Sequence, residues 1–134
     1  MRGDPPVKKT PSPREWDILD ALWDIGSGTV AEVRAHINEV RELDLAHTTV
    51  LTNLRTLEAK GWVRRSPEGK AHRYFSAAER GFGRSYAVSE LLDSLFDGSL
   101  EVLVRSLVTD RRPRSRMLRR LRRVIDQRLA EIER

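Results

Sequence analysis

The sequence predicts a mainly α fold with one small β-hairpin, followed by a purely helical region. Three observations carry this. Three short stretches with apolar residues at helical spacing precede residue 60; aromatic and branched residues then flank a Pro/Gly turn; helical periodicity returns near residue 78 and persists. A chain of 134 residues with 39% hydrophobic content suffices for one compact domain, or a small head with a helical appendage. With no cysteine, disulfides and thiolate metal sites are excluded, which fits a reducing, cytoplasmic setting. No apolar run approaches the ~18 residues that span a bilayer, so no membrane insertion is expected. Residues 1–13 lack the apolar stretch of a secretory signal.

The first helix opens at Ser12-Pro13-Arg14-Glu15, a capping box with proline at the first helical position. Trp16, Leu19, Leu22 and Trp23 form its stripe, with Ile18 and Ile25 beside it, and Gly26-Ser27-Gly28 ends it. A second box, Thr29-Val30-Ala31-Glu32, starts a helix with Val30, Val33, Ile37 and Val40 at spacings of three and four. The third helix runs from about His47 to Lys60, with Val50, Leu54 and Leu57 inward. On a 100° wheel Thr48, Thr52, Arg55 and Ala59 lie opposite, flanked by Thr49 and Thr56. Helices this short are unstable alone and must pack together.

The hairpin is predicted from Trp62-Val63-Arg64-Arg65-Ser66 and Ala71-His72-Arg73-Tyr74-Phe75 around Pro67-Glu68-Gly69-Lys70. Beyond it, Phe82, Tyr86, Leu91, Leu92, Leu95 and Phe96 belong to one long helix from about Ala78, which Gly98 breaks. A short helix carries Leu100, Leu103, Val104, Leu107 and Val108; a last one, after Pro113, carries Leu118, Leu121, Ile125 and Ile132. The expected divisions are a flexible N-terminal arm at 1–11, a domain of three helices and a hairpin at 12–77 and a helical region at 78–134.

Charge is unevenly placed. Residues 46–75 hold six bases against Glu58 and Glu68, a net of +4, while the rest of 1–104 is net −6. A positive island in an acidic domain is the footprint of a polyanion-binding surface, although charge alone fits a solvated face equally well. Helix, helix, helix, basic hairpin is the order of a winged helix-turn-helix. In that arrangement the third helix enters the major groove, where Thr48, Thr49, Thr52 and Thr56 meet base edges, thymine methyls or phosphates and Arg55 reaches guanine or phosphate. Threonine is a mediocre helix former, so four within nine residues is an odd choice for an idle surface. Arg64, Arg65, Lys70, His72 and Arg73 would follow the neighbouring backbone. His47 fits either a phosphate or base contact or a capping role.

Trp16-Asp17-Ile18-Leu19 through Leu22-Trp23, the run Thr48 to Leu57, Lys60-Gly61-Trp62-Val63, Ala71-His72-Arg73-Tyr74 and Leu95-Phe96-Asp97-Gly98-Ser99-Leu100 together resemble the penicillinase-repressor family (BlaI/MecI/CopY type). The resemblance covers most of the chain, from about Pro13 to Val108. It implies a homodimeric repressor of inverted-repeat operators with TACA/TGTA-like half-sites, regulating β-lactam resistance or cell-wall stress genes. In β-lactam-responsive members a membrane sensor protease triggers cleavage in the dimerisation region; the equivalent bond here is Ser106-Leu107, in place of Asn-Phe. The cysteine motif of copper-responsive members is missing, and no cofactor is expected. Ala46 and Leu51 stand where a capping residue and a basic residue are common.

Large apolar stripes on the C-terminal helices exceed what so small a head covers, so a two-fold partner is expected, with Leu92, Leu95, Leu100, Leu103, Leu107, Leu121 and Ile125 at the seam. The other arrangement folds the last helix back on its own domain. Residues 105–134 hold 11 arginines and 4 acids. The run Arg111 to Arg123 fits a solvated face, an auxiliary phosphate contact or a site for an acidic partner. An enzyme is not expected: His36, His47 and His72 do not converge with a nucleophile, and their spacing suits no metal. The alternative function is a winged-helix module for protein contact without sequence-specific DNA binding.

Overall fold

The computed structural model describes residues 5–134. The elements in order are α1 (Pro13–Ile25), β1 (Ser27–Thr29), α2 (Val30–Val40), α3 (His47–Ala59), β2 (Val63–Glu68), β3 (Ala71–Ser76), α4 (Arg80–Leu95), α5 (Leu100–Asp110) and α6 (Ser115–Ile132). The capping box of α1 is complete: Ser12 Oγ accepts from the Glu15 N–H at 3.3 Å, and Glu15 Oε1 accepts from the Ser12 N–H at 3.0 Å. At α2 only half of the box forms. Thr29 Oγ1 accepts from the Glu32 N–H, but the Glu32 carboxylate turns away to Arg73.

The three strands form one antiparallel sheet in the order β1-β3-β2. Only β2 and β3 are legible in the sequence. A three-residue strand containing glycine has no alternation to betray it; Ser27, Gly28 and Thr29 become a strand by pairing with Phe75, Tyr74 and Arg73. Gly28 is buried there, and a Cβ would lie 2.8 Å from Ile25 Cδ1 and 3.3 Å from Val33 Cγ2, so a larger residue would require these side chains to shift.

Ile18, Leu19 and Leu22 of α1, Val33 and Ile37 of α2, and Val50, Leu54 and Leu57 of α3 interlock with Trp62 and Tyr74 in the core. Each is essentially without solvent contact. Val40, placed on the stripe of α2, is exposed at the last turn of that helix. The expected flexible arm is in fact engaged over residues 5–11, with 1–4 outside the described residues. Lys8 N–H donates to the Lys60 carbonyl at 2.8 Å, the Trp62 indole N–H donates to the Lys9 carbonyl at 2.7 Å, and Val7 packs on the core.

Two compact units divide the chain at Val88/Ser89, inside α4 and later than residue 77. Aromatic packing explains the shift. Trp62 meets Trp16 edge-on at 5.2 Å, Tyr86 edge-on at 5.1 Å and Phe82 at 6.0 Å, so the first half of α4 is part of the core. The Trp23 indole N–H, donating to Ser76 Oγ and the Ala78 carbonyl, fixes where α4 begins. In the second unit Ser99 caps α5 by accepting from the Val102 N–H. Much of that unit's apolar surface is open to solvent, including Leu95, Leu100, Leu107, Leu121, Val124, Ile125 and Ile132.

Candidate nucleic-acid interface

The anchoring of α3 decides what its outer side offers. Val50, Leu54 and Leu57 are fully buried, whereas Thr48, Thr49, Thr52 and Arg55 are exposed. Among the described residues, none of these four side chains has a hydrogen-bonding or ionic partner. Thr56 is half-buried and its hydroxyl donates to the Thr52 carbonyl at 3.0 Å, so it retains only acceptor capacity outward. Ala46 sits at the N-cap without a side-chain hydrogen bond, and His47 makes none either. The capping role considered for His47 is therefore not used; the imidazole is exposed at the entrance of a cleft.

That cleft, of about 380 Å³, lies between the N-terminal ends of α2 and α3 and the inner edge of the wing. Thr29, Val30 and Ala31 line it from α2, His47, Leu51 and Arg55 from α3, and Lys70, Ala71, His72 and Tyr74 from the wing. Four basic side chains from two elements thus meet around one opening with no acidic residue in its wall. The start of α2 adds outward-pointing peptide N–H groups, which favour an anion. The contribution of Thr29 to Ala31 was not foreseen, because only the fold turns that turn toward α3. Leu51, half-buried, adds an apolar side chain to the lining.

Arg64, Arg65 and Arg73 are held elsewhere. The Arg64 guanidinium stands 6.0 Å from the Phe75 ring, and Arg65 pairs with Glu58 at 3.4 Å; both remain exposed. Arg73, expected as a phosphate contact, is clasped by two carboxylates. It pairs with Glu68 at 2.9 Å and Glu32 at 3.0 Å, and also donates to Ser27 Oγ. The Glu68 and then the Glu32 hydrogen bonds raise its pKa, while Arg73 holds the Glu68 carboxyl below its ordinary range. Arg73 therefore ties the wing to α2, and its charge is already answered. Sequence spacing gave no sign of this, since Glu32 is distant along the chain.

Behind α3, Glu15 accepts from Lys60 Nζ at 2.6 Å and joins the first turn of α1 to the end of α3. Burial pushes the Glu15 pKa up, but the Lys60 and Ser12 hydrogen bonds outweigh it, leaving the carboxyl below its ordinary value. A second network, with His36 and Arg80 both on Asp24, fastens α2 and α4 to α1.

In the second unit Leu95, Leu100, Leu107, Leu121 and Ile125 are exposed and Leu92 is half-buried. Leu103, also expected at a seam between copies, is only 7% exposed in the single chain, leaving a partner almost nothing to cover. Ser106-Leu107 lies inside α5, with Ser106 half-buried. No helix among the described residues is long and apolar enough to cross a membrane.

Residues 11–127 match the family described as penicillinase repressor. The chain is also similar in fold to the complex structure of hsRosR-S4, with a TM-score of 0.53 at 16% identity, covering 90% of this chain and 91% of that one. The complex structure of hsRosR-S1 gives a TM-score of 0.50 at 18% identity, with 90% and 94% covered. The transcriptional regulator Tm0710 from Thermotoga maritima gives 0.45 at 17% identity, with 91% and 77% covered. No curated protein matches the chain.

Proposed function

The chain belongs to the penicillinase repressor family, and from that premise we propose that it is a cytoplasmic homodimeric repressor that reads inverted-repeat operators through α3. The observation that carries this reading is the two-sidedness of α3: an aliphatic side locked in the core, and an outer side of Thr48, Thr49, Thr52 and Arg55 without partners of its own. The hydroxyls and methyls of the threonines suit base edges and thymine methyls, and Arg55 suits guanine or phosphate. His47, Lys70 and His72 around the cleft suit the adjoining phosphates, which fix register without reading sequence. Arg64 and Arg65 extend the same backbone contact along β2.

Membership of the family supports half-sites of the TACA/TGTA kind and control of β-lactam resistance or cell-wall stress genes. Two-fold pairing through the exposed leucines and isoleucine of the second unit would set the two α3 helices on half-sites about one helical turn, ~34 Å, apart. Relief of repression by a membrane sensor protease is less favoured. The Ser106-Leu107 bond lies mid-helix, and cutting there requires α5 to unwind locally.

An electrophoretic shift with DNA upstream of the protein's own gene tests the proposal. A salt-sensitive complex that random DNA does not compete away is expected, and Thr52→Ala should weaken it by ~1–3 kcal/mol on operator alone. No specific complex with any fragment of that region would overturn the reading.

A further inference from the structure

Arg111, Arg112, Arg114, Arg116, Arg119, Arg120, Arg122 and Arg123 are all exposed, and none has an ion-pair partner among the described residues. No acidic residue occurs from 111 to 125. Helix α6 thus collects its positive charge in its first half, where the helix dipole is itself positive, and its acids, Asp126 and Glu131, in the second. The N-cap is Arg114, without a side-chain hydrogen bond, and no acid stands in the first turn. Arg116 and Arg120, Arg119 and Arg123, and Arg120 and Arg123 are like-charged neighbours at spacings of four or three. Each feature opposes the helix. A merely solvated face would carry the opposite polarity, or acids interspersed at those spacings.

We propose that this arginine face of α6 is a second DNA-binding surface, sequence-independent and separate from α3, that binds the phosphate backbone of duplex DNA. A polyanion laid along it removes the like-charge repulsion and the conflict with the dipole together. At 1.5 Å per residue, Arg116 to Arg123 form a stripe ~10 Å long, long enough to contact successive phosphates, and guanidinium forks bond phosphate oxygens in pairs. DNA and an anionic membrane make different demands on the apolar side of the helix. Leu118, Leu121, Ile125 and Leu129 lie on the side opposite Arg116, Arg119, Arg120 and Arg123. A helix lying in an anionic membrane would keep these arginines at the headgroups only by burying the apolar side in lipid, the side a second copy would otherwise cover. No Trp, Tyr or Phe follows Phe96 to anchor it there. DNA contact uses the arginine side alone and leaves the apolar side for a second copy.

The choice of DNA among polyanions rests on the reading of the first unit, and the test separates the two. Binding of the full-length protein to a random duplex is followed by fluorescence anisotropy across salt concentrations. The comparison is with R116Q/R119Q/R120Q/R123Q, whose glutamines are good helix formers. The variant should bind random DNA at least ~10-fold more weakly, with the slope of log K against log salt reduced by about 3. Circular dichroism and sedimentation should find its helix content and assembly unchanged. If assembly changes, the four-lysine variant decides: it should keep the salt slope of the parent. A quadruple glutamine variant with unchanged affinity and slope on random DNA would overturn the proposal. So would loss of binding to phosphatidylserine vesicles with random-DNA binding intact. Failure of the α3 reading looks different: Thr52→Ala would then leave operator preference untouched, whatever α6 does.

Discussion

Arg73 and Lys70 are close along one hairpin and both basic, yet Lys70 stands in its turn and Arg73 on the central strand of the sheet, and the structure gives them different work. Lys70 opens into the cleft with no acid beside it, whereas Arg73 is neutralised by Glu32 and Glu68. A cation already paired releases few counterions from DNA. Lys70→Ala should therefore lower the salt slope of binding by about 1. Arg73→Ala should leave that slope unchanged and instead speed amide hydrogen exchange in β2 and β3; an equal loss of slope from both would put Arg73 on phosphate after all. Glu15 yields a prediction in pH. Its folded pKa lies below the ordinary 4.5, so the stability it contributes is present above that value and disappears as pH falls through the folded pKa. In Glu15→Gln the acid limb of the stability curve should flatten below pH ~4.5. At neutral pH the variant should lose roughly 1.5–3 kcal/mol, the scale of one charged hydrogen bond. An acid limb identical to the parent's would contradict this.

At the level of elements, the six helices were legible in the sequence because each has its own periodicity, and α1 and α2 also announce their caps with Ser12 and Thr29. The outward side of α3 was legible for the same reason, since three buried residues at helical spacing determine where Thr48, Thr52 and Arg55 point. What depends on meetings between distant segments was not. β1 exists only because β3 lies beside it, Arg73 is satisfied only because Glu32 abandons its capping box, and α4 divides between two units because Trp62 gathers Phe82 and Tyr86. Gly83 tests that last contact. In an exposed helix, alanine in place of glycine stabilises by ~1 kcal/mol. Here a Cβ would fall 2.5 Å from Trp23 Cη2, on a ring pinned by its indole N–H. Gly83→Ala should destabilise the first unit by roughly 1–3 kcal/mol through overpacking. Thermal or urea melting checks the sign, and a stabilised variant would mean that α4 is not seated on Trp23.

Across the whole molecule, the two units face different problems. The first closes its own core; the second leaves Leu95, Leu121 and Ile125 at 72%, 42% and 59% exposure. Apolar side chains on that scale are stabilised when water is removed from them, at about 25 cal/mol per Å² buried, and a second copy presents the same stripe for mutual coverage. On the proposed function, pairing would also link assembly to repression. One α3 would hold one half-site weakly, while two in a dimer would bind as one body, the second contact being intramolecular. Replacing Leu121 and Ile125 together by glutamate should convert the protein to a monomer in sedimentation and remove the concentration dependence of its melting temperature. The first unit, whose core contains neither residue, should keep its fold. Affinity for an inverted repeat should then fall to that for a single half-site, a loss of 10²-fold or more on the usual scale of bivalent gain. If the double variant still sediments as a dimer, the seam lies on other residues; if it is monomeric yet holds the inverted repeat as tightly as the parent, recognition does not depend on pairing.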